Sequence, residues 1–266
     1  MPKEPLTKKM IAEKDGSIGR LVFNNPERRN AVSLEMWQAV PQILDDFEAD
    51  PEIRVILLRG AGEKAFISGA DISEFEEKRA CVEAVEAYNR ISESARSRIE
   101  ECPKPTIAMI RGYCMGGGVG TALACDLRFA AEGSRFGIPA AKLGLGYGYD
   151  GIKKLVDLVG PAYTREIFYT ARQFSAEEAL RMGLVNAVLS AEALEARVGE
   201  VCRMIAENAP LTIRAAKAAV HEALRDESRR DLAFCRRLVE ECFESEDYVE
   251  GRTAFMAKRK PLFKGR

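Results

Sequence analysis

Histidine is nearly missing from this chain: His221 is the only one among 266 residues. A Ser-His-Asp arrangement or a histidine-rich metal centre has no material to be built from. His221 itself lies between Ala219 and Ala223 in a helical stretch with no triad partner, and Ser68 has no base to activate it. Net charge is missing too. Forty Lys and Arg against forty-one Asp and Glu leave −1, which excludes nucleic-acid binding driven by bulk positive charge but permits a local basic patch for a phosphorylated ligand. No apolar run approaches the roughly 20 residues that span a bilayer. Met1 to Lys9 carries charges and prolines and no apolar core of a secretory signal. The seven cysteines (81, 102, 114, 125, 202, 235, 242) show neither CxxC nor zinc-ligand spacing. They read as reduced, mostly buried thiols of a cytoplasmic protein, with no metal site. Internal repeats and low-complexity segments are absent.

What is present is a large apolar fraction, 47%, ample for one packed domain with a helical appendage. Ile18 to Phe23, Val55 to Leu58, Thr106 to Ile110 and Leu127 to Ala130 read as strands. Ser33 is placed as an N-cap for a helix whose stripe is Met36, Val40, Ile43, Leu44 and Phe47, with Pro41 as a possible kink. Ala80 to Ile99 reads as an amphipathic helix ending before Pro103 and Pro105. Strands alternating with helices imply crossover connections and mainly parallel pairing. After about residue 190 the pattern turns helical: 191–208, 211–225, 228–243 and 247–259. The expected division is a core over 1–190 and a helical subdomain over 191–266.

Two glycine-centred segments stand out, Phe66-Ile67-Ser68-Gly69-Ala70-Asp71-Ile72 and Gly112-Tyr113-Cys114-Met115-Gly116-Gly117-Gly118. Each follows an apolar run and precedes a helix. Such a turn aims free backbone N–H groups at one point, where the helix dipole favours negative charge. One N–H from each turn would make a hole for an oxyanion.

These segments resemble the crotonase (enoyl-CoA hydratase/isomerase) superfamily. So do Asn25-Pro26-Glu27-Arg28-Arg29-Asn30-Ala31, Ala124-Cys125-Asp126-Leu127-Arg128, Ala179-Leu180-Arg181-Met182-Gly183-Leu184-Val185 and Lys258-Arg259-Lys260-Pro261-Leu262-Phe263. The likeness spans roughly residues 17 to 266. It implies an α/β fold, a crotonase-like ββα superhelix core with a C-terminal helical subdomain that trimerises the chain, giving a homotrimer or a dimer of trimers. It also implies an acyl-CoA thioester as substrate, with coenzyme A as part of that substrate and no separate cofactor. By the same resemblance the N–H groups of Ala70 and Gly117 bind the thioester oxygen. Ala31, Ala70 and Ile72 line the CoA path through backbone atoms. Arg28 or Arg29, with Lys258 from a neighbouring copy, meets the phosphates. Asp71 belongs to the binding turn and is the expected cap of the helix it starts.

The resemblance also marks departures. The positions of the two hydratase glutamates hold Gly120 and, after Phe136-Gly137-Ile138-Pro139, Ala140. General acid–base help is worth about a hundred- to ten-thousandfold each, so efficient hydration by that pair is not expected. Replacement groups sit in Leu143-Gly144-Leu145-Gly146-Tyr147-Gly148-Tyr149-Asp150-Gly151. Tyr147 falls where decarboxylating members carry a tyrosine; packing over its loop is its structural alternative. Asp150 falls near the aspartate of dienoyl-CoA isomerases; N-capping a helix that opens at Ile152 is its alternative. Glu74, Glu76 and Glu77 suit a helix N-terminus. Three functions stay open: a lyase-type enzyme stabilising a thioester enolate, as in loss of CO₂ from a malonyl-type CoA; a hydratase or isomerase with a relocated acid–base residue, Asp150 or Glu74; and a non-catalytic acyl-CoA binder.

Overall fold

The computed structural model describes residues 7–71 and 82–266, with 82–85 by their backbone alone. Ile72, Glu74, Glu76, Glu77 and Cys81 lie outside the described residues.

The main sheet has six strands: β1 (Met10–Asp15), β2 (Ile18–Phe23), β3 (Val55–Gly60), β5 (Thr106–Ile110), β7 (Leu127–Ala131) and β10 (Ala187–Leu189), adjacent in that order. β1 and β2 form an antiparallel hairpin, and the remaining pairs are parallel. Continuous apolar runs such as Val55–Leu58 mark strands covered on both faces, and alternate residues divide between those faces. Ile56, Leu58, Ala108, Ile110 and Ala130 join the core built on α1 (Leu34–Ala49), which supplies Met36, Trp37, Val40, Leu44 and Phe47. Val55, Leu57, Ile107, Met109, Phe129 and Ala131 face the other way, onto Leu194, Val198, Val201 and Cys202 of α6 (Ala191–Ala206). The first helix of the expected 191–266 subdomain therefore covers the sheet. α7 (Pro210–Leu224), α8 (Leu232–Glu244) and α9 (Glu246–Met256) follow. Lys217 ties α7 to the core, donating to Asp126 at 2.8 Å and to the Lys104 carbonyl at 3.2 Å.

A second sheet, β4 (Ala65–Ile67), β6 (Tyr113–Met115), β8 (Arg135–Gly137) and β9 (Phe174–Ser175), carries the glycine turns. Those turns follow β4 and β6, not the longer β3 and β5. Three-residue strands are too short to show a period in sequence. α2 (Val82–Glu100), α3 (Gly117–Ala124), α4 (Tyr149–Thr170, broken at Gly160) and α5 (Ala176–Arg181) complete the core. Pro41 sits inside α1, which continues through it. Cys102, Cys114, Cys125 and Cys202 are buried, and burial pushes the Cys102 and Cys125 thiols up to about 12.

α3 meets β4 without a side chain between them: a Cβ on Gly118 would lie 2.3 Å from the Ile67 carbonyl oxygen. Gly199, inside α6, has nothing within 4 Å of its added Cβ. In denaturant unfolding, Gly118→Ala should lose about 2–3 kcal/mol through forced separation of α3 and β4. Gly199→Ala should gain about 0.5–1 kcal/mol from helix propensity. Equal effects at both sites would refute this packing.

Candidate active site

The loop after β2 is set by two asparagines. Arg29 and Asn30 both take left-handed φ, 52° and 56°, a conformation that asparagine tolerates better than most residues. The buried Asn30 side chain accepts the Asn25 N–H at 3.0 Å and donates to the carbonyls of Ala61 (3.0 Å) and Ala65 (2.7 Å). Asn25 in turn donates to the Ala31 carbonyl at 2.9 Å. The loop then runs beside the first glycine turn, with Val32 bridged in parallel to Ala70. Ser68 N–H donates to Arg29 (3.1 Å), Val32 N–H to Gly69 (2.9 Å) and Asp71 N–H to Val32 (3.1 Å). The bridge uses the groups flanking Ala70, and the Ala70 N–H has no partner among the described residues.

The second turn pivots on Gly116, with φ 53° and ψ −112°. Its N–H is held by the Gly137 carbonyl at 2.8 Å. α3 opens at Gly117, whose N–H is among the donors a helix leaves unused at its start. Across the gap, a Cβ on Gly69 would stand 3.7 Å from the Met115 carbonyl oxygen. Gly69 against Met115 and Ile67 against Gly118 place the two turns side by side. The turns that carry Ala70 and Gly117 thus lie at the same end of the β4–β6 pair, the second of them at a helix N-terminus.

One turn further along α3, roughly 4.5 Å by helix rise, lies Gly120. A Cβ there would meet Arg96 Cδ at 3.3 Å, Arg96 Nε at 3.6 Å and the Tyr147 hydroxyl at 3.8 Å. The Arg96 guanidinium lies over the Trp37 ring, 5.3 Å from its centroid, and Trp37 Cζ2 would be 3.9 Å from a Cβ on Gly117. Trp37 Nε1 donates to the Tyr88 hydroxyl at 3.0 Å, and that hydroxyl donates to the Val32 carbonyl at 3.2 Å. One continuous wall, Gly117–Trp37–Arg96–Gly120–Tyr147, follows. Tyr147 packs edge-on against Phe168, centroids 4.9 Å apart, and its hydroxyl makes no hydrogen bond among the described residues. Burial pushes the Tyr147 hydroxyl above its ordinary value, against the opposing pull of Arg96, so it is a neutral phenol at neutral pH. Burial likewise lowers Arg96, which nevertheless stays cationic.

The other expected residues are placed differently. Asp150 is exposed, and it does not cap its helix: α4 opens at Tyr149 with Gly148 as N-cap, leaving Asp150 in the first turn. Its carboxylate suits the dipole there. Arg28 pairs with buried Asp71 at 2.9 Å, and Arg29 stacks over Tyr113 at 5.0 Å. Ala31 is buried in the asparagine-held loop. Lys258 is exposed beyond α9, with φ 51°, and no described contact joins it to the site. Ala140 is buried in the turn Pro139–Lys142.

Sequence reading missed Arg96, Trp37, Tyr88 and Asn30. A signal existed for Arg96: it borders the buried stripe Tyr88, Ser92, Ala95, Ile99 of α2, where a charge needs a reason. Its partner Trp37 lies on another helix and had no local signal.

Residues 13–266 match the family model described as enoyl-CoA hydratase/isomerase. The chain is 35% identical over 253 residues to a short-chain-enoyl-CoA hydratase of Clostridium acetobutylicum, covering 94% of this chain and 95% of that one. It is 34% identical to a crotonyl-CoA hydratase of Syntrophomonas wolfei, covering 96% and 97%. The crystal structure of an enoyl-CoA hydratase/carnithine racemase from Magnetospirillum magneticum superposes with a TM-score of 0.90 at 36% identity, covering 98% and 97%.

Removing the Asn30 side chain leaves a buried N–H and two carbonyls without their partner. Asn30→Ala should lower stability by about 2–3 kcal/mol, measured by urea unfolding; a change below about 0.5 kcal/mol would show that the loop does not rest on this residue.

Proposed function

This chain belongs to the enoyl-CoA hydratase/isomerase family, with its crotonase α/β fold, and from that premise we propose that it holds an acyl-CoA thioester with the carbonyl oxygen between the N–H groups of Ala70 and Gly117. Each donor stabilises the developing enolate by roughly 3 kcal/mol. The reaction we assign is loss of CO₂ from a malonyl-type thioester. The Cα–carboxylate bond breaks, its electron pair passes to Cα and onto the thioester oxygen, CO₂ departs, and a proton from water later quenches Cα. No base is needed to form the enolate. The Tyr147 phenol sets the carboxylate out of the thioester plane, aligning the breaking bond with the carbonyl π system. The observation that carries this reading is Gly120: the nearest atoms facing it belong to an arginine side chain and a phenol, not to a carboxylate.

A second reading, hydration or double-bond migration, is favoured by the relatives named hydratases. It assigns the proton transfers to a carboxylate outside the resembled pair, Asp150 on α4 being the candidate. In either case coenzyme A enters with the substrate, no separate cofactor takes part, and the protein works in the cytoplasm. Arg28, Ala31, Asp71, Ile72 and a neighbour's Lys258 are the residues we assign to the CoA moiety. Exposed Val239, Phe243, Val249, Phe255 and Met256 on the last helices are the surface we assign to a homotrimer or a dimer of trimers.

The test is mass-spectrometric turnover of malonyl-type, 2-enoyl- and 3-enoyl-CoA thioesters. CO₂ loss should dominate, fall about tenfold or more in Tyr147→Phe, and stay level in pH through the ordinary tyrosine range near about pH 10, because burial raises that hydroxyl above it. Gly117→Pro should fold, since proline suits the first helical position, and lose about a hundred- to thousandfold in kcat with its N–H. Water addition or bond migration sensitive to Asp150→Asn would establish the second reading; tight binding without turnover would establish a binder.

A further inference from the structure

Arg96 is a guanidinium in search of a counter-ion. It is desolvated enough for burial to be the leading influence on its titration, yet none of the described carboxylates pairs with it. Its one hydrogen bond is a long contact to the Ser92 hydroxyl, 3.4 Å. Glu93 acts on it only through space; the exposed Glu93 side chain lies toward Gly148 instead, where an added Cβ would be 3.8 Å from its Oε1. The Trp37 ring beneath supplies a cation–π contact on one face. Other core-facing arginines are treated otherwise. Arg98, two residues on in α2, is locked onto Glu48 and Asp45 at 2.7 and 2.8 Å. Buried Arg128 spends its donors on the carbonyls of Cys125, Leu184 and Ala122. A half-buried cation without a paired anion calls for one from elsewhere.

The place for such an anion is the gap beside Gly120, a close one in which an added Cβ would meet Arg96 Cδ at 3.3 Å. Gly120 contributes no side chain to it, and the Tyr147 hydroxyl, with no described hydrogen-bond partner, borders the same space. A guanidinium and a phenol converge there, one helical turn from the Gly117 N–H. A carboxylate is the anion whose planar pair of oxygens matches a guanidinium fork.

We infer that Arg96 is a specificity-determining residue that receives a carboxylate on the acyl group, so that the chain selects carboxylated acyl-CoA thioesters over neutral ones, with Tyr147 as the second donor to that carboxylate. This rests on the reading of the site as an acyl-CoA site, but not on which reaction occurs there.

Binding alone tests it. Trp37 is the only tryptophan, and it lies between Gly117 and Arg96, so its fluorescence reports this pocket. The wild-type chain, Arg96→Gln and Arg96→Lys are titrated with succinyl-CoA and with its neutral isostere, 4-methylpentanoyl-CoA. Succinyl-CoA cannot lose CO₂ to an enolate, because its carboxylate is one carbon too far from the thioester, so binding is read without turnover. The wild type should prefer succinyl-CoA by about ten- to a hundredfold, the range of one hydrogen-bonded charge pair. Arg96→Gln should erase the preference while leaving 4-methylpentanoyl-CoA affinity and thermal unfolding close to wild type. Arg96→Lys, which keeps charge and loses the fork, should retain part of it. Equal wild-type affinity for the two thioesters, or a preference that survives Arg96→Gln, overturns the assignment. Failure of the wild type to bind either thioester overturns the acyl-CoA reading beneath it, a result distinct from loss of selectivity.

Discussion

The contact on which the rest depends is backbone against backbone: the first turn of α3 lying on β4 with only hydrogen at Gly118 between them. A helix start approaches a strand this closely only where a side chain is missing. The approach brings the Gly117 N–H, with the positive end of the helix dipole, beside the Gly69–Ala70 turn. The parallel bridge from Val32 then consumes the donors on either side of Ala70. The N–H groups of Ala70 and Gly117, at two separate strand ends, are left without partners among the described residues. None of this uses side-chain chemistry, so the residues beyond can change composition without disturbing it.

The variable part lies on α1, α2 and the loop before α4. There the wall holds Trp37, Arg96 and Tyr147. The three are mutually supporting. Trp37 carries Arg96 on its face and is fixed through its indole N–H to Tyr88, which anchors to the same Val32 that aligns Ala70. Tyr147 is fixed by Phe168. On the proposed reading, donors for the carbonyl and donors for the distal end of the acyl group share one framework, the condition for a fixed distance between them.

The legible part of this was local. Val55–Leu58 and Thr106–Ile110 are continuous apolar runs, and both are buried strands. The α1 stripe from Met36 to Phe47 is buried as its period predicts. Helices over 191–206, 210–224 and 232–244 sit where the 3.6-residue pattern placed them. What escaped was short or non-local. β4 and β6 are three residues long. The cap of α4 is a glycine, so the capping alternative for the aspartate two residues on does not hold. Arg28 and Asp71, far apart in the chain, neutralise each other. The pairing of Trp37 with Arg96 joins two helices, and no local period contains it.

A guanidinium on the acyl carboxylate and a pair of N–H groups on the thioester oxygen differ in what they can do for a rate. If CO₂ leaves, the charge on the carboxylate disappears along the reaction path, so the Arg96 contact is strongest in the bound substrate and weakens toward the transition state. It lowers KM and opposes kcat by part of its roughly 1.5–3 kcal/mol. The enolate oxygen gains charge along the same path, and two N–H donors at roughly 3 kcal/mol each outweigh that opposition. If the carboxylate is retained, Arg96 binds substrate and transition state alike and is neutral toward kcat. On the proposed reading, selection among acyl chains and acceleration of the chemistry are separable, the first resting on a side chain of α2 and the second on the backbone of two turns. Such a separation would let a fold keep its backbone donors while the residues facing Gly120 change the substrate they admit.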